Sequence, residues 1–284
     1  MSDNAGFPLA DGMTGLTPPT PTPLLDVECV NRHLGRLAPD FGLRLVAECA
    51  STNSALIDAP PPDDGRIHVL ATERQTAGRG RRGRAWQSWP GGSLTFSTLW
   101  RFPSGAPVPA GLSLVAGLGV VRALETLGVQ GLQLKWPNDV LVNGHKLAGI
   151  LVELLPGRGR TPAAVVGIGL NLSLPPDVSI PDQDGVTDLA SHLGTVPERS
   201  VLLARLLAEL HVLFETYAVA GFPALRAAWQ QRNAFADLPV RVSGEERDLS
   251  GICTGVDDDG ALLIATPSGL VRVLSGEVSL RAAR

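Results

Sequence analysis

The stretch Gln75-Thr76-Ala77-Gly78-Arg79-Gly80-Arg81-Arg82-Gly83-Arg84-Ala85-Trp86 decides the fold. Within it, Gly78-x-Gly80-x-x-Gly83 follows an apolar run, Ile67 to Thr72, that reads as a strand. That is half of a dinucleotide-binding fingerprint. The other half needs a helix opening at the loop and an acid about 20 residues further on. Here the chain continues Gln87-Ser88-Trp89-Pro90-Gly91-Gly92, a poor helix start, and no acid lies between Glu73 and Glu125. A GxxxxGK[ST] phosphate loop is absent too. With the doubly wound nucleotide folds set aside, residues 78–84 remain as four arginines and three glycines with no acid nearby to neutralise them. Cationic side chains on a glycine-permissive backbone suit a mobile loop that closes over a phosphate-bearing ligand.

The rest of the chain makes this loop a local exception. Its 284 residues are 44% hydrophobic, enough for one large domain or for one large and one small, and its net charge is −4. An acidic chain argues against general nucleic-acid binding. The three cysteines, Cys29, Cys49 and Cys253, lie far apart without a CxxC pair, which points to a reduced cytoplasmic protein with neither a disulfide frame nor a zinc site. There is no signal-peptide pattern at the start and no apolar run of membrane-spanning length.

Alternating and helical patterns divide the chain into three parts: a Pro-rich disordered arm over 1–23, a main domain over 24–234 and a small β-barrel over 235–284. In the main domain Asp26 caps a short helix through Leu37, and Leu43–Val46 is a strand. Ser51-Thr52-Asn53 opens a helix through Ile57, and Ser93–Trp100 alternates as a strand. Leu112–Leu127 reads as an amphipathic helix. Lys135-Trp136-Pro137-Asn138-Asp139 follows, either as a simple turn or as a functional segment. Asn143-Gly144 is the strongest short hairpin signal. It returns through His145–Glu153, where Lys146 shares a strand face with Ala148 and Ile150, as an edge gatekeeper or a functional cation. Val165–Leu172 is a further strand, and its Asn171 is either a satisfied core amide or a reader of an adenine edge. Residues 174–188, rich in Pro and Asp, suggest a second mobile loop, and Val201–Tyr217 and Pro223–Gln231 are helices. No Gly-x-Ser-x-Gly elbow, HExxH or telling His pairing occurs, so positioning and charge neutralisation around phosphate is the expected chemistry.

Taken together, Ser51-Thr52-Asn53, Gln75 to Trp86, Lys135 to Asp139, Lys146 to Glu153, Gly167-Ile168-Gly169-Leu170-Asn171 and Gly276 to Arg281 resemble one family, the biotin–protein ligases. The resemblance runs in order over about residues 45 to 284. It implies an α+β domain like the class II aminoacyl-tRNA synthetase core, with a mixed β-sheet and helices on one side, followed by an SH3-like barrel. It implies ATP-driven formation of biotinyl-5′-AMP, with Mg²⁺, and transfer of biotin to a lysine of the biotin carboxyl carrier protein of acetyl-CoA carboxylase.

The resemblance also assigns residues. Ser51, Thr52, Asn53, Gln75 and Gly149 fall to biotin. Arg79, Gly80 and Arg81 hold the carboxylate side and the phosphate, and Arg84 helps with the triphosphate. Trp86 packs over the adenylate. Lys146 contacts the reacting carboxylate and α-phosphate as the essential cation, and Arg79, Arg81 and Asp139 join it as catalytic residues. Asn138 and Asn171 contact adenine, Lys135 joins the nucleotide site, and Asp139 orients the acceptor amine or reaches Mg²⁺. Some relatives carry a DNA-binding winged helix before the Ser-Thr-Asn segment. Here 50 residues precede Ser51 and nearly half are the Pro-rich arm, so a monofunctional ligase is expected, with no nucleic-acid or membrane partner. A homodimer through the sheet edge is a family-based expectation. The alternatives are a lipoate or octanoate ligase of the same fold, and a DNA-binding sensor of biotin.

Overall fold

The computed structural model describes residues 24–102, 110–155, 163–176, 185–244, 248–274 and 278–282. The expected arm over 1–23, most of the loop over 174–188 and Gly276-Glu277 lie outside them.

A seven-stranded sheet organises the main part of the chain. Its strands are β1 (Phe41–Cys49), β2 (Ile67–Gln75), β3 (Ser93–Arg101), β4 (Leu132–Lys135), β5 (Asp139–Val142), β6 (His145–Leu155) and β7 (Ala163–Asn171), in the order β1-β2-β3-β7-β6-β5-β4. β1 and β2 are parallel, joined by a crossover through α2 (Thr52–Asp58); every other neighbouring pair is antiparallel. The mixed sheet is as expected. The helices, however, do not all lie on one side. α1 (Val27–Leu34), α3 (Leu112–Glu125), α4 (Arg199–Ala220) and α5 (Pro223–Gln230) share the large core with the sheet. α2 packs on the other face, where Leu56 meets Leu70, Leu99 and Val165. That second face is where the candidate site forms.

α3 is not amphipathic. Leu112, Leu114, Val115, Leu118, Val120, Val121 and Leu124 are all buried, because the helix is sandwiched between sheet and α4. Close approach needs small residues: a Cβ at Gly119 would fall 2.9 Å from Leu210 Cδ2. Asp26 caps α1 as expected, accepting from the N–H groups of Glu28 and Cys29, but the helix stops at Gly35 with φ +56° rather than at Leu37. The start of α1 is tied to the sheet and to α4. Leu25 N–H donates to Glu73 Oε1 at 2.7 Å, and Glu73 pairs with the buried Arg199.

The edge strand β4 is covered, since Leu134 exchanges backbone hydrogen bonds with Arg232 and Ala234. An exposed ladder edge invites non-native pairing, and this contact removes the hazard. The C-terminal strands β8 (Pro239–Gly244), β9 (Asp248–Val256), β10 (Leu262–Thr266), β11 (Gly269–Val273) and β12 (Val278–Ala282) form an antiparallel sheet in the order β11-β10-β9-β8-β12. Its Asp258-Asp259-Gly260 turn reaches back to the main sheet. Trp136, 1% exposed, donates its Nε1–H to Gly260 O at 3.0 Å.

Candidate functional site

The expected hairpin turn forms, with Asn143 at φ 49° and Gly144 at φ 82°, the positive pair that a type I′ turn requires. The strand beyond it is not regular. Val142 opposes His145 and Leu141 opposes Lys146, but Val140 opposes Ala148, so Leu147 is an extra residue on β6. This bulge corrects the expectation that Lys146 shares a face with Ala148 and Ile150. Leu147 and Ala148 both turn into the core, and Lys146 moves to the opposite face with Gly149 and Leu151. A β-bulge re-aims one side chain in this way. There Lys146 Nζ lies 2.7 Å from Asp139 Oδ1.

Lys146 opens onto a cavity of about 140 Å³ on the α2 side of the sheet. Of the residues named from the sequence, Ser51, Thr52, Asn53, Gln75, Arg79, Gly80, Arg81, Arg84, Trp86, Lys135, Asn138, Asp139, Lys146 and Gly149 all line it. Asn171 does not. It is 2% exposed at the end of β7 and its Nδ2 donates to Thr187 O at 3.1 Å. In this structure it anchors the segment after the Pro-rich loop.

One end of the cavity is polar and rigid. Ser51 caps α2 through a hydrogen bond from Ser54 N–H. Gln75 Oε1 accepts from Thr52 N–H (2.7 Å) and Thr52 Oγ1 (3.1 Å), which leaves the Gln75 amide nitrogen for a ligand. The floor is the glycine-rich part of β7. Asn53 lies flat on Gly167, where a Cβ would come 2.2 Å from Asn53 Oδ1; Trp86 lies on Gly169, where a Cβ would come 2.2 Å from the indole. Any side chain at these two positions would displace both groups, so Gly-Ile-Gly is a packing requirement.

The other end is cationic. The arginine loop turns tightly through Arg82 (φ 58°) and Gly83 (φ 68°), and closes with Gly80 N–H on Arg84 O (2.7 Å) and Trp86 N–H on Gly78 O (2.9 Å). Arg79, Arg81, Arg82, Arg84, Lys135 and Lys146 line the cavity, against Asp139 as the one acid among the described lining residues. Lys146 Nζ also sits 5.9 Å over the Trp86 ring, within cation–π range. On the far wall Asn138 Nδ2 donates to Ile150 O at 2.8 Å, which fixes the Lys135–Asp139 turn against β6.

Two polar residues were not singled out from the sequence. Ser97, fully buried, donates its hydroxyl proton to Asn53 Oδ1 at 2.6 Å, and its Oγ lies 2.6 Å from Thr52 Oγ1. Thr95, 4% exposed, lines the cavity with a hydroxyl that has no hydrogen-bond partner. The available signal was the alternation Ser93-x-Thr95-x-Ser97, which puts three hydroxyls on one face of the strand. A buried unpaired hydroxyl costs about 1–3 kcal/mol, which a ligand group can recover. Thr95→Val keeps the shape and removes the hydroxyl. It should leave the melting temperature equal or higher while weakening ligand binding by about fivefold to tenfold, as read by calorimetric titration.

The segment after the Pro-rich loop supports Lys146 from the side. Lys146 N–H donates to Gly185 O (3.1 Å) and Thr187 N–H donates to Lys146 O (2.9 Å). Asp188 locks that segment, accepting from Leu174 N–H (2.6 Å), Ser191 N–H (2.9 Å) and Ser191 Oγ (2.6 Å). Burial alone would raise the Asp188 carboxyl, but these donors outweigh it and hold it below the usual carboxylate range. Its contribution is therefore complete above the unfolded value near 3.9 and is lost as the pH falls through the lower folded value. Asp188→Asn should cost about 1–2 kcal/mol at pH 7 in denaturant melts. The gap from wild type should close as the pH drops below about 4.

With this geometry in place, comparison with known proteins is direct. Residues 51–171 match the biotin/lipoate A/B protein ligase family, and residues 239–281 match the biotin protein ligase C terminal domain. The biotin--[acetyl-CoA-carboxylase] ligase of Paracoccus denitrificans is 37% identical over 242 residues, covering 82% of this chain and 98% of that protein. The bifunctional ligase/repressor BirA of Escherichia coli is 34% identical over 271 residues, 95% of this chain and 82% of that protein. The solved biotin protein ligase from Aquifex aeolicus, in complex with biotin and ATP, superposes with a TM-score of 0.74 at 30% identity, covering 85% of this chain and 99% of that one. This chain belongs to the biotin protein ligase family.

Proposed function

We propose that this chain is a biotin–protein ligase that joins biotin to ATP as biotinyl-5′-AMP, releases pyrophosphate, and passes biotin to a carrier lysine. The observation that carries the reading is one cavity joining a rigid polar end at Thr52, Asn53 and Gln75 to a cationic end at Lys146 and the arginine loop. The polar end suits biotin's ring, and Thr95 adds an unspent hydroxyl beside it. The cationic end suits the meeting of a carboxylate with a triphosphate.

In the first step a biotin carboxylate oxygen forms a bond to the α-phosphorus and the bond to pyrophosphate breaks. Two anions approach and charge builds at phosphorus, so preorganised cations are the main catalytic need. Lys146, Arg79 and Arg81 supply them, with Arg84 and Lys135 towards the triphosphate and Asn138 and Trp86 around the nucleoside. Asn171 acts through the segment around Thr187 that it anchors. In the second step the carrier amine attacks the acyl carbon, AMP leaves and the ammonium sheds a proton. Asp139 stands where it can orient that amine.

Mg²⁺ would be held by Asp139 together with the substrate phosphates, a donor set of the kind this ion takes. Asp139 is the one lining carboxylate among the described residues, and Mg²⁺ is commonly held by one or two carboxylates plus substrate phosphates. When bound, it neutralises phosphate charge. The net charge of −4 supports a reading with no general nucleic-acid partner. The domain division at 234/235 and a cytoplasmic setting belong to the same reading; no described helix is long and apolar enough to cross a membrane, and all three cysteines are free.

The test is mass spectrometry of a biotin carboxyl carrier domain after incubation with this protein, biotin and Mg-ATP. A gain of one biotin on one lysine, dependent on ATP and absent with lipoate, is expected. Carrier modified by lipoate or octanoate instead would shift the reading to the other ligases of this fold.

A further inference from the structure

We propose that Glu153 is a positioning residue that ties the arginine loop to the floor of the ligand pocket by holding Arg79 and Asn53 at once. The proposal rests on the ligase reading above. Glu153 lies near the far end of β6 and does not line the cavity, so it acts through its partners. Its carboxylate accepts two hydrogen bonds from Arg79 Nη2, at 2.9 and 2.8 Å, and one from Asn53 Nδ2 at 2.9 Å. Those two partners belong to different elements, a loop after β2 and the first turn of α2.

The two ends of this clamp differ in rigidity. Asn53 is fixed from several sides, by Ser97 on its Oδ1, by Leu151 O on its Nδ2 (3.2 Å) and by Gly167 beneath it. Arg79 is 45% exposed on a glycine-rich turn whose backbone bonds close on the turn itself. A carboxylate anchored to the well-held partner therefore sets where the more exposed one rests. Both bonds to Glu153 come from the single nitrogen Nη2. The Nε–H and Nη1–H donors are left for an anion, and a guanidinium with one nitrogen pinned is well placed to offer them singly to carboxylate or phosphate oxygens. An ion pair this exposed contributes little to folding. Its effect is on geometry at the rim.

The experiment uses the full chain with Glu153→Gln, Glu153→Ala, Arg79→Ala and the two double variants. Melting temperature, steady-state pyrophosphate exchange and the rate of adenylate loss are measured. Glu153→Gln should melt with the wild type, lower kcat/KM for biotin about tenfold, speed adenylate loss by a similar factor and leave KM for ATP nearly unchanged. In the Arg79→Ala background the same change should add less than about a factor of two, the signature of residues acting as a unit. Wild-type kinetics in both Glu153 variants would overturn the proposal, as would effects that multiply with Arg79→Ala. So would losses of activity that track losses of melting temperature. A wild-type chain that forms no biotinyl adenylate would overturn the ligase reading itself, which the wild-type arm reports separately.

Discussion

Lys146→Ala should lower adenylate formation by about 10³-fold while leaving the fold intact. A unit charge 4 Å from a phosphoryl oxygen, at an effective dielectric near 20, contributes about 4 kcal/mol, equivalent to roughly 10³ in rate. Lys146 is 17% exposed and aimed into the cavity by the bulge at Leu147, so little of that interaction is lost to solvent. Its removal also leaves Asp139, 19% exposed, as an unpaired anion facing two incoming anions. The double variant Lys146→Ala with Asp139→Asn should therefore recover part of the loss, about tenfold. Single-turnover pyrophosphate release measures both. A Lys146→Ala protein within tenfold of wild type would remove Lys146 from the reaction.

Trp136→Ala should cost about 3–5 kcal/mol of stability, the range for deleting a large buried aromatic ring. Trp136 is among the largest fully buried side chains, and its Nε1–H reaches Gly260 O in the C-terminal sheet. The loss has two parts that substitution can separate. Trp136→Phe keeps most of the ring volume and drops the hydrogen bond, and should cost about 1–2 kcal/mol. Trp136→Ala should in addition loosen the turn at Asp258-Asp259-Gly260 against α3, seen as faster amide exchange at Gly260 and Ala261. Equal costs for Phe and Ala would mean that the hydrogen bond, not the packed ring, carries the contact.

Much of the molecule was legible in local pattern. Strands and helices followed from alternation and capping, as with Asp26 at α1, Ser51 at α2 and the Asn143-Gly144 turn. The arginine loop stood out because seven residues concentrated charge on glycine without an acid nearby, and it does line the cavity. α3 misled for a physical reason. Helical spacing of apolar groups identifies a helix, but how much of it is buried depends on how many elements surround it, and here sheet and α4 do so from both sides.

The sequence by itself determined which segments are strands and helices, where the cations are concentrated and which family the motifs resemble. Those properties depend on neighbours within a few residues, where backbone propensity, period and turn chemistry act. The tertiary structure alone decided which way the decisive side chains face. A one-residue bulge against β5 turned Lys146 from the core face to the cavity. The segment around Thr187, packed against β7, drew the Asn171 amide away from it. Glu153 became the partner of both Asn53 and Arg79 because strand order sets β6 beside β7 with α2 above them. Register and long-range pairing fix such contacts, and residues 74 or 100 positions apart carry no local trace of them.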